Sequence, residues 1–268
     1  WTVATGGTIV DYLLPEWANL RLHSGSFPVS TTRTGSRLAG TSFPVTGPSS
    51  EALRFEIGSS RMWGIGLLPL GWAKFVGANA ADFANLAVDG FSHPAFARFS
   101  GLAQSVFGAE PDSNSELGRI ERYFLDRIDD PVADEKRIHA IHEALVDPET
   151  TNVGELVARA GTSQRTVERI CSRVFGFSPK LLLRRQRFMR SLSHFMLDPS
   201  LKWIGAIDDN YHDQAQFVRD FHQFMGMSPR QYASLDKPIL GAVVRERARF
   251  FGSAVQTLDS PDGPAARA

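Results

Sequence analysis

The heptapeptides VFGFSPK (174–180) and FMGMSPR (224–230) stand fifty residues apart and share one frame. Two apolar residues are followed by Gly, one apolar residue, Ser, Pro and a base. Glycine leaves a helix through the left-handed conformation, serine caps the next helix, and proline occupies its first position. Repeated punctuation predicts a repeated helical unit, so the C-terminal half is constrained before any other feature is weighed.

The residues ahead of each glycine fit that expectation. In TSQRTVERICSRVFG, Val167, Ile170, Cys171 and Val174 follow i, i+3, i+4, i+7, one apolar stripe with Ser163 placed as its cap. The opposite face carries Arg165, Glu168, Arg169, Ser172 and Arg173. In HDQAQFVRDFHQFMG the stripe is Phe217, Phe221 and Phe224, the cap is Asp213, and the far face offers Arg219, flanked by Gln214 and Gln216. A short helix in NVGELVARA, then Gly161-Thr162, precedes the first capped helix. Helix, glycine turn and capped helix with a polar front is a helix-turn-helix layout. Arginine forks onto guanine and glutamine bridges adenine, so such a front suits base edges in a major groove.

The segments ELVARAGTSQRTVERICSRVFGFSPK, RRQRF and YHDQAQFVRDFHQFMGMSPRQY resemble the AraC/XylS family of bacterial transcription regulators. The resemblance covers roughly 135–236. It implies two helix-turn-helix units joined by a central helix near Pro179–Met196, with double-stranded DNA as partner. RNA polymerase, a small-molecule effector and a second copy of the chain are further candidate partners. A central helix of about 27 Å suits two readers on successive grooves, about 34 Å apart. Arg165 and Arg169 are the foremost base-contact candidates, followed by Glu168, Ser172, Arg173, Gln214, Gln216 and Arg219. Ser163, Lys180, Arg184 and Arg230 are the phosphate-contact candidates. Where the family carries Ile-Ala and then Gly, this chain reads Gly205-Ala206-Ile207-Asp208-Asp209-Asn210. Asn210 is expected to take the left-handed turn, and Asp209 and Gly205 to weaken the second unit. Arg219 is expected to be opposed by Asp220.

Net charge is zero, but residues 1–150 hold 12 Lys/Arg against 18 Asp/Glu, and residues 151–268 hold 17 against 11. Between 159 and 190 nine bases, Arg185, Arg187 and Arg190 among them, face Glu168 alone. That excess points to a polyanion or to a solvated helical face.

The first hundred residues read differently. Gly, Ser, Thr and Pro clusters separate short apolar pieces such as TIVDYLL, ANLRLH and EALRFEIG, the pattern of many short strands. The predicted class is therefore α+β. A β-barrel or jelly-roll-like domain (1–100) is followed by a helical connector (101–131), and an all-α double helix-turn-helix domain (132–238) precedes a partly disordered tail (239–268). In the connector, Leu117, Ile120, Phe124 and Ile128 fall at helical spacing, a face for self-packing or for a homodimer. Ile138, Ile141 and Leu145 mark the next helix.

Other readings are bland. Cys171 lies on the apolar stripe and is expected in the core. His139 and His142 have no companion ligands, and only His23 and His93 precede them, so no metal and no cofactor are expected. No Gly-x-Ser-x-Gly elbow, phosphate loop or CxxC is present, so catalysis is not expected. Trp17, Trp63 and Trp72 are read as core ahead of a ligand cavity, and the ligand itself is not legible. No apolar run reaches the roughly 18–20 residues that span a bilayer, and no basic segment leads into an apolar stretch at the start. With a single cysteine the chain is assigned to the cytoplasm, with no membrane partner. Alternatives are a reader with one working unit, dependent on dimerisation or partners, and an enzyme or sugar-binding protein with purely structural helices.

Overall fold

The computed structural model describes residues 2–4, 7–198, 200 and 203–263. Its N-terminal half contains two antiparallel sheets. One has strand order β1-β8-β3-β6-β9, using β1 (Thr2–Ala4), β3 (Ala18–Gly25), β6 (Pro44–Thr46), β8 (Ser60–Leu67) and β9 (Ala87–Asp89). The other has order β2-β7-β4-β5, using β2 (Ile9–Leu13), β4 (Val29–Thr31), β5 (Arg37–Leu38) and β7 (Leu53–Ile57).

Side chains of a strand alternate between its two faces, and directly opposed residues share a face. In β3 and β8, Leu20 pairs with Ile65 and Leu22 with Trp63, while Asn19 pairs with Gly66, Arg21 with Gly64 and His23 with Met62. The first set meets an apolar layer built from α1 (Pro69–Gly71), its continuation Trp72–Val76, α2 (Ser100–Ser105) and α3 (Ser113–Leu125). Phe96, Phe99, Leu102, Val106 and Ile120 close that core. The connector thus folds back onto its own sheet, with Ile120 buried and Phe124 packed behind it, while Leu117 and Ile128 stay exposed. The second set faces inward, toward the other sheet.

The C-terminal half is helical: α4 (Glu135–Val146), α5 (Val153–Arg159), α6 (Gln164–Ile170, prolonged by Cys171–Phe175), α7 (Pro179–Leu197), α8 (Trp203–Ala206), α9 (Gln214–Met225) and α10 (Pro229–Ser234). The doubled punctuation is realised as written. Gly176 and Gly226 take φ of 82° and 71°, Ser178 and Ser228 cap α7 and α10 through their hydroxyls, and Pro179 and Pro229 open them. Both glycines sit where a side chain on an L-residue would be strained.

Residues 238–251 differ from the signal-poor tail expected there. They form α11 (Pro238–Phe251), capped by the buried Asp11 carboxylate, which accepts from Ile239 N (2.9 Å) and Leu240 N (2.8 Å). Leu240, Val244 and Ala248 repeat at i, i+4, i+8, and Leu240 and Val244 are buried with Leu14 and Phe188. The cap comes from a strand more than two hundred residues away, so only the helix was open to sequence reasoning. The tail's last residues, 264–268, lie outside the described residues.

Candidate nucleic-acid interface and effector cavity

The first unit is set by local capping. Asn152 and Glu155 form a reciprocal box at the start of α5, and Gly161 turns the chain with φ 61°. Ser163 accepts from Thr166 N at 3.3 Å and opens α6. Val167, Ile170, Cys171 and Val174 are buried with Ile138, Ile141, Leu145 and Leu182. Cys171 is a core residue whose thiol burial pushes up to about 12. The opposite front is exposed. Arg165 makes no hydrogen bond or ion pair among the described residues, whereas Glu168 accepts from Gln164 at 2.8 Å.

Arg169 and Arg173 are already occupied. Both reach Asp134 Oδ2, at 2.9 and 3.0 Å, and Arg137 takes Oδ1 at 2.8 Å. Bonds from Arg169 and Arg137 hold the Asp134 carboxyl below its usual range. Asp134 also has φ 64°, uncommon for a residue with a side chain. This acidic clamp across the front is absent from the sequence-based reading, because it joins residues 35 and more positions apart.

The second unit is built around a buried acid. Asp220 is 1% exposed and accepts from Arg184 (2.5 Å), Arg187 (3.1 Å) and the Tyr211 hydroxyl (3.0 Å). It therefore does not oppose Arg219, which is exposed and makes no ion pair among the described residues. Arg184, a phosphate-contact candidate by sequence, also bonds Gln223 at 2.7 Å and is committed to the fold. Arg190 pairs with Asp208 (2.5 Å), and Arg185 is fully buried. Much of the apparent basic excess of 159–190 is thus internal neutralisation. Asn210 does not take positive φ. Its N–H is held by Asp208 Oδ1 at 2.9 Å, an aspartate turn that replaces the glycine turn. Asp213 caps α9 through Gln216 N (2.6 Å), Gln216 folds back to His212 N (3.2 Å), and Gln214, Ser172, Lys180 and Arg230 remain exposed.

One loop of the β half pins the C-terminal ends of both reading helices. A Cβ on Gly176 would stand 3.1 Å from Pro48, and Ala52 N donates to Phe224 O at 2.8 Å. Ser49 O accepts from Arg185 at 2.9 Å. Trp17 wedges beneath, edge-on to Phe175 and His142 with centroids 5.6 Å away, and the Arg185 guanidinium lies 3.9 Å over its ring. Burial pulls Arg185 down to about 9 and His142 down to about 3. α6 and α9 are held at their C-terminal ends, and their capped N-terminal ends carry the exposed Arg165 and Gln214. Free N–H groups at such ends suit phosphate oxygens.

A second feature lies between the sheets. A cavity of about 740 Å³ is bounded by β3 and β8 on one side, by Phe55 and Ile57 of β7 on another, and by α11 as its third wall. Its lining is mostly apolar, with the Asn19–Arg21–His23 stripe as the polar side. None of Trp17, Trp63 and Trp72 lines it: Trp17 and Trp72 are core, and Trp63 donates to Glu116 at 2.7 Å. The signal was present in ANLRLHS, whose alternation shows one apolar and one polar face. A polar face is ordinarily read as outward, and here it is inward. Among the described residues no group of three or more His, Cys, Asp or Glu is placed to hold a metal, and no helix is long and apolar enough to cross a membrane.

A helix-turn-helix domain family matches residues 156–234. Curated protein sequences give no match. Among solved structures the chain is similar to ToxT from Vibrio cholerae, in a 1.65 Å form at 12% identity with TM-score 0.44, spanning 84% of this chain and 97% of that one. ToxT from strain O395 gives 11% identity and TM-score 0.45, over 85% and 94%. Unsaturated fatty acid-bound wild-type ToxT from strain SCE256 gives 11% and 0.39, over 84% and 94%. Two capped helices, each ended by a left-handed glycine and backed by an apolar stripe, fall within the matched segment, and the C-terminal region of this chain carries a helix-turn-helix domain of the AraC type.

Proposed function

We propose that this chain is a sequence-specific DNA-binding transcription regulator whose α6 and α9 enter successive major grooves, under the control of a small molecule held by the β half. The observation that carries the reading is the pair of exposed fronts, Arg165 on α6 and Gln214 with Arg219 on α9, whose helices share an anchor on one loop. The central helix α7, 19 residues long, spans about 28 Å at 1.5 Å per residue, close to one turn of duplex. Arg165 contacts a base edge, and Arg169 and Arg173 do so once they leave Asp134. Ser163, Lys180 and Arg230 face phosphates.

Retention of genomic DNA fragments, followed by binding assays on the enriched sequence and a scrambled one, tests this reading. Arg165→Ala is expected to lose about 1–3 kcal/mol on the enriched site and to relax selectivity at one position. Equal binding of both DNAs by the unaltered chain defeats it. Lys180 and Arg230, the basic phosphate-facing side chains, have no intramolecular partner among the described residues, so about two neutralised phosphates give a log–log salt slope of roughly −1.8.

A second reading has its own support: among the described residues the second unit's first helix, α8, covers a single turn, Trp203–Ala206. In that reading α6 alone reads DNA, and a second copy of the chain or a partner such as RNA polymerase supplies the remaining affinity. A footprint over one groove rather than two identifies it.

A further inference from the structure

We propose that the cavity between the two sheets and α11 takes an uncharged, largely apolar molecule that carries a hydroxyl or carbonyl group. The inference rests on the effector role given to the β half above.

Charge balance carries the first step. Four ionisable side chains of fixed charge line the cavity, and each already has a partner. Arg21 meets Glu16 at 2.5 Å and Thr46 at 2.8 Å, Arg247 meets Asp259 at 2.5 Å, and Glu246 lies 3.9 Å from Arg249 at the mouth. An incoming anion would approach Arg21 beside a carboxylate, and a cation would find no unpaired acid. Either must shed its water for an incomplete contact, which costs more than it returns.

The second step comes from what is left unmet. His23 is 5% exposed, its Nδ1 lies 3.3 Å from Ser60 Oγ, and its Nε2 has no partner. Burial, with Arg21 nearby, pulls His23 down to about 3, so the ring is neutral near pH 7. A neutral imidazole keeps one donor and one acceptor, and a hydroxyl satisfies Nε2 in either tautomer. Gln256 shows the same deficit. Its Oε1 accepts from Asn19 at 3.2 Å, while Nε2 is buried without a partner. That N–H suits a hydroxyl or carbonyl oxygen. The two groups lie at opposite ends of the Asn19–His23 stripe, whose Cα atoms span about 13 Å at 3.3 Å per residue.

Space supplies the third step. Gly64 and Gly66 stand opposite Arg21 and Asn19, where most strands would place side chains. At Gly66 that room is already taken by Gln256, whose Nε2 would lie 2.2 Å from a Cβ there, whereas a Cβ on Gly64 would meet nothing within 4 Å, so Gly64 supplies the open space. The volume of about 740 Å³ is that of a drug-sized ligand site. Since α11 follows the second reader directly, an occupant touches the element that leads back to α10 and α9.

The test uses the full chain and no DNA, so that loss of DNA binding and loss of ligand binding are told apart. Nile red, an uncharged dye with a carbonyl, is titrated into the protein, then displaced with 1-dodecanol, dodecanoate and dodecylammonium at pH 7. Saturable one-to-one binding is expected, with 1-dodecanol displacing at least ten-fold better than either ion. Gly64→Leu fills the open space and is expected to abolish dye binding while retaining the enriched DNA. His23→Leu weakens 1-dodecanol about five-fold, the loss of one hydrogen bond. Absence of saturable dye binding, or displacement by either ion as strong as that by 1-dodecanol, overturns the proposal whatever the variants do. So does undiminished binding to a Gly64→Leu chain that still holds DNA, since the dye would then sit on the exposed Phe250 and Phe251.

Discussion

The two helix-turn-helix units carry the same punctuation but stand on different physics. The first rests on a mixed core, Ile138, Ile141, Leu156, Val167 and Ile170 together with Trp17 and Phe175, and keeps its charges on the surface, where three arginines gather on Asp134. The second buries its acid. Asp220 sits beneath α9 amid Arg184, Arg187 and Tyr211, and the surrounding core is aromatic, with Phe188, Phe217, Phe221 and Phe224 in mutual contact. Of that unit's first helix the described residues cover a single turn, Trp203–Ala206, and an ion network with packed rings holds α9 to α7. The comparison shows that two copies of one motif can be held by different interactions while presenting similar fronts.

The strongest challenge to that contrast is Asp220→Ala. It leaves two arginines and a phenol facing an empty site, and breaking such a buried network costs about 3–5 kcal/mol. Urea denaturation is expected to show that loss, and the DNA footprint to contract to the half read by α6. The mirror change in the first unit, Asp134→Asn, keeps a residue that tolerates φ 64°, removes the charge of a partly exposed acid, and is expected to cost under about 1 kcal/mol. Similar losses in the two variants would erase the distinction.

Acid separates the regions next. His142, in the first unit's core, and His23, in the cavity, are both pulled to about 3 from an ordinary 6.5, by burial first. In the unfolded chain both protonate as pH falls below about 6.5, while in the folded chain they stay neutral down to about 3. Stability is therefore unaffected above pH 6.5 and is lost as pH drops through that window, by about 2 kcal/mol per histidine at pH 5. Denaturation midpoints at pH 7 and pH 5 measure it, and His142→Leu is expected to remove about half of the loss. Unchanged pH dependence in that variant would place the acid sensitivity outside the first unit.

What could be read ahead of the coordinates follows the range of the forces involved. Capping serines, left-handed glycines and the stripes of α6 and α9 depend on neighbours within a turn or two, and Ser163, Gly176, Asp213 and Gly226 stand where spacing put them. The destinations of the arginines do not follow from spacing. Arg184 and Arg187 reach Asp220, more than thirty residues on, and Arg185 stacks on Trp17 from the other half of the molecule. A count of bases between 159 and 190 cannot separate these struts from Arg165, which has no partner among the described residues. The β half misleads in a further way, because its larger sheet is covered on both faces. Arg21 and His23 point inward at a cavity, against the ordinary rule that polar strand residues face water.

The smallest effect concerns the clamp itself. Asp134→Asn keeps a residue that tolerates φ 64° but removes the charge that Arg169, Arg173 and Arg137 share. In the resting chain a phosphate or base must compete with this carboxylate for Arg169 and Arg173, and its charge repels the duplex as well. Exposed ion pairs are worth about 0.2–1 kcal/mol each, so their release is expected to raise DNA affinity only about three- to five-fold. The gain is expected on both enriched and scrambled DNA, because freed arginines find phosphates on any sequence. Filter binding at two salt concentrations measures it, with a steeper salt slope as the accompanying sign. A fall in affinity confined to the enriched sequence would mean that Asp134 aims the two arginines at base edges instead of holding them back, and the first unit would then resemble the second, each using an acid to set its arginines.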